Sequence, residues 1–259
     1  MALHLGVGIV TFNRKTVLAE TLARVQTHTT SPFTLVVADD GSEDGTAKLV
    51  RDKNVTLVTG ENMGIAWNKN RALFLLADIL HCDVVILLED DSFPVRDGWE
   101  AEWVTAAPRW GHANCAGEWF RRDFLKGTGT VDDPILCKSI SAQCSAFSRE
   151  ALRYGGYMDS RFVGYGQEHV EHTRRLIRVG YGGSYEDIDG EVRPIYKLIW
   201  GGIKVTAPPS FSNRGDEGRN ARVCHELIFE QAYRAPWRDD IELGQFRAEM
   251  ASALPNGPR

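Results

Sequence analysis

Three acids stand side by side at Glu89-Asp90-Asp91, directly after the apolar run VVILL. Like charges at that spacing repel, and burial strengthens the repulsion. Grouped carboxylate oxygens are hard donors, suited to a divalent cation such as Mg2+ or Mn2+, which would offset the cost. Two other apolar runs end in polar groups: LHLGVGIV leads into Thr11-Phe12-Asn13-Arg14, and FTLVVA into Asp39-Asp40-Gly41-Ser42. One such ending alone reads as a turn or a helix cap; three together read as one crevice. Further on, Glu168-His169 opens EHVEH. The order is not HExxH, and His169 and His172 are three apart, so a zinc-protease helix is excluded.

The elements that position these groups follow from periodicity. Residues 3 to 12, 33 to 40, 55 to 60 and the run ending at Asp91 are short and rich in β-branched residues. Between them, residues 15 to 28, 41 to 52 and 62 to 80 switch to helical spacing. Strand and helix alternate, and the strands read as buried on both faces. That predicts an α/β fold with a mainly parallel central sheet. In such sheets ligands bind at the carboxyl ends of the strands, where all three polar endings lie.

After residue 92 the alternation becomes irregular. The sequence predicts a strand at 143 to 148, and helices at 168 to 180 and 224 to 234. Residues 208 to 222 have the composition of a mobile loop, and residues 250 to 259 read as a disordered tail. The whole chain, 1 to 259, reads as one domain, with a first half to residue 92 and a second from 93 to 235. Trp99 and Trp103, four apart, predict core packing, while Trp110 and Trp119 are candidates for a sugar-stacking groove.

Composition narrows the function. A formal net charge of -5 argues against a duplex nucleic-acid face. Five cysteines without a CxxC pair argue against a disulfide framework or zinc ribbon and predict reduced thiols in a cytoplasmic protein. The first residues carry no basic leader or cleavage site, and no apolar run is long enough for a membrane span.

Taken in order, TFNR, VVADDGSEDGT, NMGIAWNKN, LLEDDS and GYGQEH resemble the family 2 glycosyltransferases of the GT-A fold, over about residues 4 to 185. The resemblance implies a GT-A-like, nucleotide-diphospho-sugar transferase fold. It further implies a nucleotide-sugar donor, most simply a UDP-sugar, a saccharide or other hydroxyl acceptor, and inverting transfer. Phe12 stands where an aromatic ring stacks on uracil, Asp40 where an acid accepts the base N3–H, and Lys69 near the diphosphate. Thr11, Asn13, Arg14, Glu89 and Asp90 complete the implied nucleotide-sugar site. Asp91, with Glu89, stands at the metal position, and the dication would be Mn2+ or Mg2+. A later histidine common in the family is missing near residues 208 to 215; His225 is the remaining candidate.

Glu168 matches the first acid of the family's acidic pair, whereas His169 replaces the second, often the general base. Glu168, at a helix N-terminus that favours a carboxylate, is the expected base, with His169 as its neutral hydrogen-bond partner. Arg214, Arg219 and Arg222 read equally as a lid over the diphosphate or as a solvated loop. The alternatives to a transferase are a sugar nucleotidyltransferase, which would want glycines after strand one where TFNRKT has none, and a silent nucleotide-sugar or glycan-binding module.

Overall fold

A computed structural model describes residues 3–206 and 214–254, without the side chains of 214, 215 and 217. The first four strands are β1 (Leu5–Thr11), β2 (Phe33–Asp39), β3 (Thr56–Thr59) and β4 (Val84–Glu89). They are joined by α1 (Lys15–His28), α2 (Thr46–Asp52) and α3 (Ile65–Phe74), which continues as a π-helical turn through Ile79. Then come β5 (Ser92–Pro94), α4 (Glu100–Trp110), β6 (His112–Cys115), β7 (Phe124–Lys126), β8 (Ile135–Cys137) and β9 (Cys144–Ser148). The remainder is α5 (Arg149–Gly155), α6 (Glu168–Arg178), β10 (Gly183–Ile188), β11 (Glu191–Ile199), β12 (Ile203–Val205), α7 (Arg214–Leu227) and α8 (Asp240–Ala253).

The main sheet runs β3-β2-β1-β4-β9-β6-β11-β8-β7, with β10 paired to β11. β3, β2, β1 and β4 are mutually parallel, while β9 joins β4 antiparallel and makes the sheet mixed. Alternate side chains of each strand enter different cores. Val7 and Ile9 of β1 and Ile86 of β4 pack with α1, α2 and α4 on one face; Val10 and Leu87 pack with α3, α5, α6 and α8 on the other. Trp99 and Trp103 are fully buried in the first core, as their spacing predicts. The register sets Thr11 beside Asp39 and Val10 beside Glu89, so the polar strand ends lie level at one edge.

Three expectations for the second half are corrected. Residues 214 to 222 are not loop but the start of α7. Cys224 and Leu227 bury against Met158 and Phe162, and Asn220 reaches the carbonyls of Val163, Tyr165 and Gly166; this packing outweighs the low helix propensity of the glycines. The helix expected to reach residue 234 stops at Leu227, where Arg178 takes the carbonyls of Leu227 and Ile228. The supposed tail is ordered through Leu254. Asp239 caps α8 by accepting from the amides of Ile241 and Glu242, and Phe246 and Met250 bury one side of the helix. The rest of the tail, and residues 208 to 213 of the expected loop, lie outside the described residues.

All five cysteines are free and buried. Among the described residues no helix is long and apolar enough to cross a membrane.

Candidate functional site

The strand ends open on a cleft of about 510 Å³, walled by Thr11, Phe12, Arg14, Asp40, Glu89 and Asp90. Phe12 is 42% exposed, an aromatic face held in solvent at the mouth of the cleft. Sequence reasoning assigned no role to Asn62, Ile65, Asn68, Tyr165 or Asp216, which also line it. NMGIAWNKN signalled the first three. Asp216 was hidden in a stretch that reads locally as loop.

Two glycines from distant parts of the chain, Gly64 and Gly164, meet in the lining. Gly64, at φ +89, presents its Cα so closely to Gly164 that an added Cβ would stand 3.1 Å from the Gly164 nitrogen. A Cβ on Gly164, at φ +67, would collide with the Asp216 carboxylate. Both positions therefore need glycine for conformation and for space.

Asp40 is buried and fully engaged on its inner side. It accepts from the amides of Met63 at 3.0 Å and Gly64 at 2.9 Å, and from Arg71 Nη1 at 2.8 Å. Burial raises its pKa, against the pull of those donors. Oδ2 accepts only from Gly64 among the described residues, so a lone pair remains for a ligand in the cleft. Asn13, at φ 50, is not among the residues that wall the cleft. Its amide donates to Ser42 Oγ and its side-chain oxygen accepts from the Glu43 amide, which ties the end of β1 to the loop after β2.

The acid triplet is divided between two cations. Glu89 accepts from Lys69 Nζ at 2.8 Å. Asp90 pairs with Arg14 at 2.8 Å and accepts from Thr11 Oγ1 at 2.7 Å. Asp91 Oδ2 takes both terminal nitrogens of Arg14 at 3.1 Å. Compensation is incomplete: burial pushes Asp90 up to about 7 despite Thr11 and Arg14, and burial with the neighbouring Glu89 raises Asp91.

No group of three or more histidines, cysteines or acids among the described residues closes on one point. A hard dication does not require such a cage, because Mg2+ is commonly held by one or two carboxylates with substrate phosphates and water. Asp91 does not itself wall the cleft but follows Asp90, which does; among the described residues its Oδ1 meets only Ser92 Oγ, at 3.5 Å, and so keeps an open lone pair. Under-compensated carboxylates with an open oxygen fit such an ion. His225 does not join them: it is exposed on α7, edge-on to Phe229, and absent from the cleft wall. Arg219 and Arg222 are exposed on the same helix, and the side chain of Arg214 lies outside the described residues.

Lys69 does not face the cleft. It is fully buried behind it, between Glu89 and Glu168, whose Oε1 lies 3.4 Å from Nζ. Burial works against the charge on Lys69, yet the two carboxylates raise its pKa. Burial likewise resists ionisation of Glu168, but Lys69 and His169 hold its carboxyl well below the usual range. His169 Nδ1 sits 3.2 Å from Glu168 Oε1, and its side chain is 20% exposed where that of Glu168 is 3%. Glu168 Oε2 has no hydrogen-bond partner among the described residues.

Comparison with known proteins fits this geometry. A hyaluronan synthase from Pasteurella multocida is 27% identical over 235 residues, covering 72% of this chain; the chain spans about a quarter, 24%, of that relative. Among solved structures, a mannosyltransferase from Pyrobaculum calidifontis in complex with GDP-Man and Mn2+ superposes with a TM-score of 0.58 at 19% identity, covering 99% of this chain and 76% of that one. GalNAc-T7 with UDP, GalNAc and Mn2+ gives 0.63 at 14%, covering 98% and 56%. S. aureus TarS 1-349 in complex with UDP gives 0.55 at 15%, covering 97% and 71%. These likenesses bear out the expected GT-A architecture. The family model described as "Glycosyl transferase family 2" matches residues 6–155, more than half of the sequence, and the chain belongs to that family.

Proposed function

We propose that the chain transfers a sugar from a UDP-sugar to an acceptor hydroxyl with inversion at the anomeric carbon, assisted by Mn2+ or Mg2+. The observation that carries this reading is the convergence on one cleft of Phe12, Asp40 and the acidic end of β4. Phe12 supplies a face for the uracil ring, and the free Oδ2 lone pair of Asp40 accepts from its N3–H. Asp91, with Glu89, holds the cation, which when bound neutralises charge on the diphosphate leaving group. Arg14 lies beside the same acids and offers its guanidinium to phosphate oxygens.

Inversion needs a base on the acceptor side. The Glu168–His169 pair supplies it, and its geometry favours His169 as the group that meets the acceptor. Glu168 is enclosed and pinned by Lys69, so it is a poor proton acceptor. It is well placed to orient the His169 ring through Nδ1, leaving Nε2 for the hydroxyl proton.

Titration calorimetry with UDP tests the reading. Binding is expected to be much tighter with Mn2+ than with chelator, and Asp91→Ala should abolish the difference. Equal binding by the native protein in metal and in chelator refutes the metal assignment; preference for GDP over UDP refutes the base assignment.

A further inference from the structure

A second cavity, about 420 Å³, opens between α6, the β10–β11 hairpin and α7. Its wall is basic although the chain as a whole is acidic. Five basic residues line it against two acids, and both acids are already taken. Glu171 receives Arg175 Nε and Nη2 at 2.8 and 3.0 Å, and Glu191 pairs with Arg193. Arg175 is further committed to the carbonyls of Gly155, Tyr157 and Ala232 and is structural.

Lys138, Arg174 and Arg178 remain. Lys138 is exposed, and its amine has no hydrogen-bond or ion-pair partner among the described residues. Arg174 is half-buried; Tyr196 Oη accepts from its Nε at 3.1 Å, which leaves other donors of a five-donor group unspent. Arg178 donates to the carbonyls of Leu227 and Ile228 but meets no carboxylate. Among the described residues, three cations thus face one hollow without a counter-anion of their own. Planar guanidinium groups there match carboxylate or phosphate oxygens two at a time. Tyr185, 43% exposed on the same wall, adds a flat apolar face.

The position of the cavity links it to the cleft. α6 begins at Glu168, α7 brings Asp216 to the cleft wall, and both helices run from there towards the cavity. Helical rise sets Arg174 about 9 Å and Arg178 about 15 Å beyond Glu168 along the axis. An extended oligosaccharide covers such a distance.

We propose that this cavity binds an oxyanion, carboxylate or phosphate, carried by the acceptor chain several units from its reacting hydroxyl. Assigning the ligand to the acceptor rests on the transferase reading above; the oxyanion chemistry of the cavity does not.

Direct binding, without donor or metal, tests it. Three oligomers of equal length serve as probes: tetragalacturonic acid, a glycerol-phosphate tetramer and neutral maltotetraose. At least one anionic oligomer should bind tenfold or more tightly than maltotetraose, with affinity falling as salt is raised. Whichever binds more tightly identifies the source of the oxyanion. Arg174→Gln and Lys138→Gln should each weaken that binding three- to tenfold, and UDP binding at the cleft should be unchanged in both. Lys138 holds no partner, so its variant tests charge without disturbing the fold. The site is refuted if neither anionic oligomer outbinds maltotetraose, or if both variants bind as the native protein does. A protein that binds the anionic oligomer at this cavity but neither UDP nor GDP at the cleft would overturn the donor-site reading and the acceptor assignment, while leaving the oxyanion site standing.

Discussion

Arg71 of α3 and Glu249 of α8 form a buried two-point ion pair, Nε to Oε2 at 2.9 Å and Nη2 to Oε1 at 2.8 Å. The same guanidinium holds Asp40 through Nη1, and Glu249 also receives the indole of Trp67 at 2.9 Å. The last described helix therefore braces the carboxylate assigned to the base of the donor. Glu249→Ala would leave the buried Arg71 with Asp40 as its one carboxylate among the described residues and the Trp67 indole unpaired, at a cost of about 3–5 kcal/mol. Urea denaturation should show a loss of that size, with weaker UDP binding in the folded fraction. A loss below about 1 kcal/mol, the range of an exposed pair, would show that the pair does not brace α3.

Asp40→Asn changes one acceptor into an amide donor. Its neighbours Met63 N, Gly64 N and Arg71 are all donors, so the new amide is repelled inside and mismatched outside. UDP affinity should fall by about 1.5–3 kcal/mol, with the circular dichroism of the native fold retained. Unchanged UDP affinity would remove Asp40 from base recognition.

The acid–base pair separates by kinetics at saturating donor. His169→Ala should lose about 10²–10⁴ in turnover, and added imidazole should restore part of it. Glu168→Gln should lose less, because it disturbs the orientation of the ring and not the proton acceptor itself. UDP binding should survive both changes. If Glu168→Gln is inactive while His169→Ala keeps near-native turnover, Glu168 is the base and the two roles exchange.

Acid should loosen the fold through two enclosed imidazoles. Burial holds His112, stacked on Phe147 at 4.4 Å, down to about 4; burial and Arg175 hold His172 well below the usual range. An unfolded chain takes up these protons near pH 6.5, whereas the folded chain refuses them. The contribution to stability is therefore complete above pH 6.5 and lost as pH falls towards 4. For His112 it amounts to about 3 kcal/mol. Urea midpoints at pH 7.5 and 4.5 should show the fall, and His112→Gln should show a smaller one. Equal falls in the two proteins would contradict the assignment.

The parallel half and the cleft were legible because each buried strand ends abruptly in polar residues, and parallel strands all set their carboxyl ends at one edge of the sheet. Thr11, Phe12, Arg14, Asp40, Glu89 and Asp90 needed nothing more. Lys69 was placed in the right neighbourhood but given the wrong surroundings. A lysine between two acids from different elements, Glu89 and Glu168, has no local mark. α8 was missed for a related reason. DIELGQFRAEMASA carries an interior glycine, and what seats it is Glu249 meeting Trp67 and Arg71, about 180 residues earlier in the chain. The start of α7, residues 214 to 222, reads as loop because its glycines are visible in sequence while the three carbonyls that Asn220 gathers are not.

The paired glycines in the cleft lining bear on how such a protein diversifies. With Gly64 packed against the Gly164 backbone and Asp216 against Gly164, a side chain added at either position meets protein atoms. A lineage that changes its donor is therefore left the other lining positions, such as Asn62, Ile65 and Tyr165. The glycine pair is inherited with the backbone, and selection for a new ligand acts on the side chains around it.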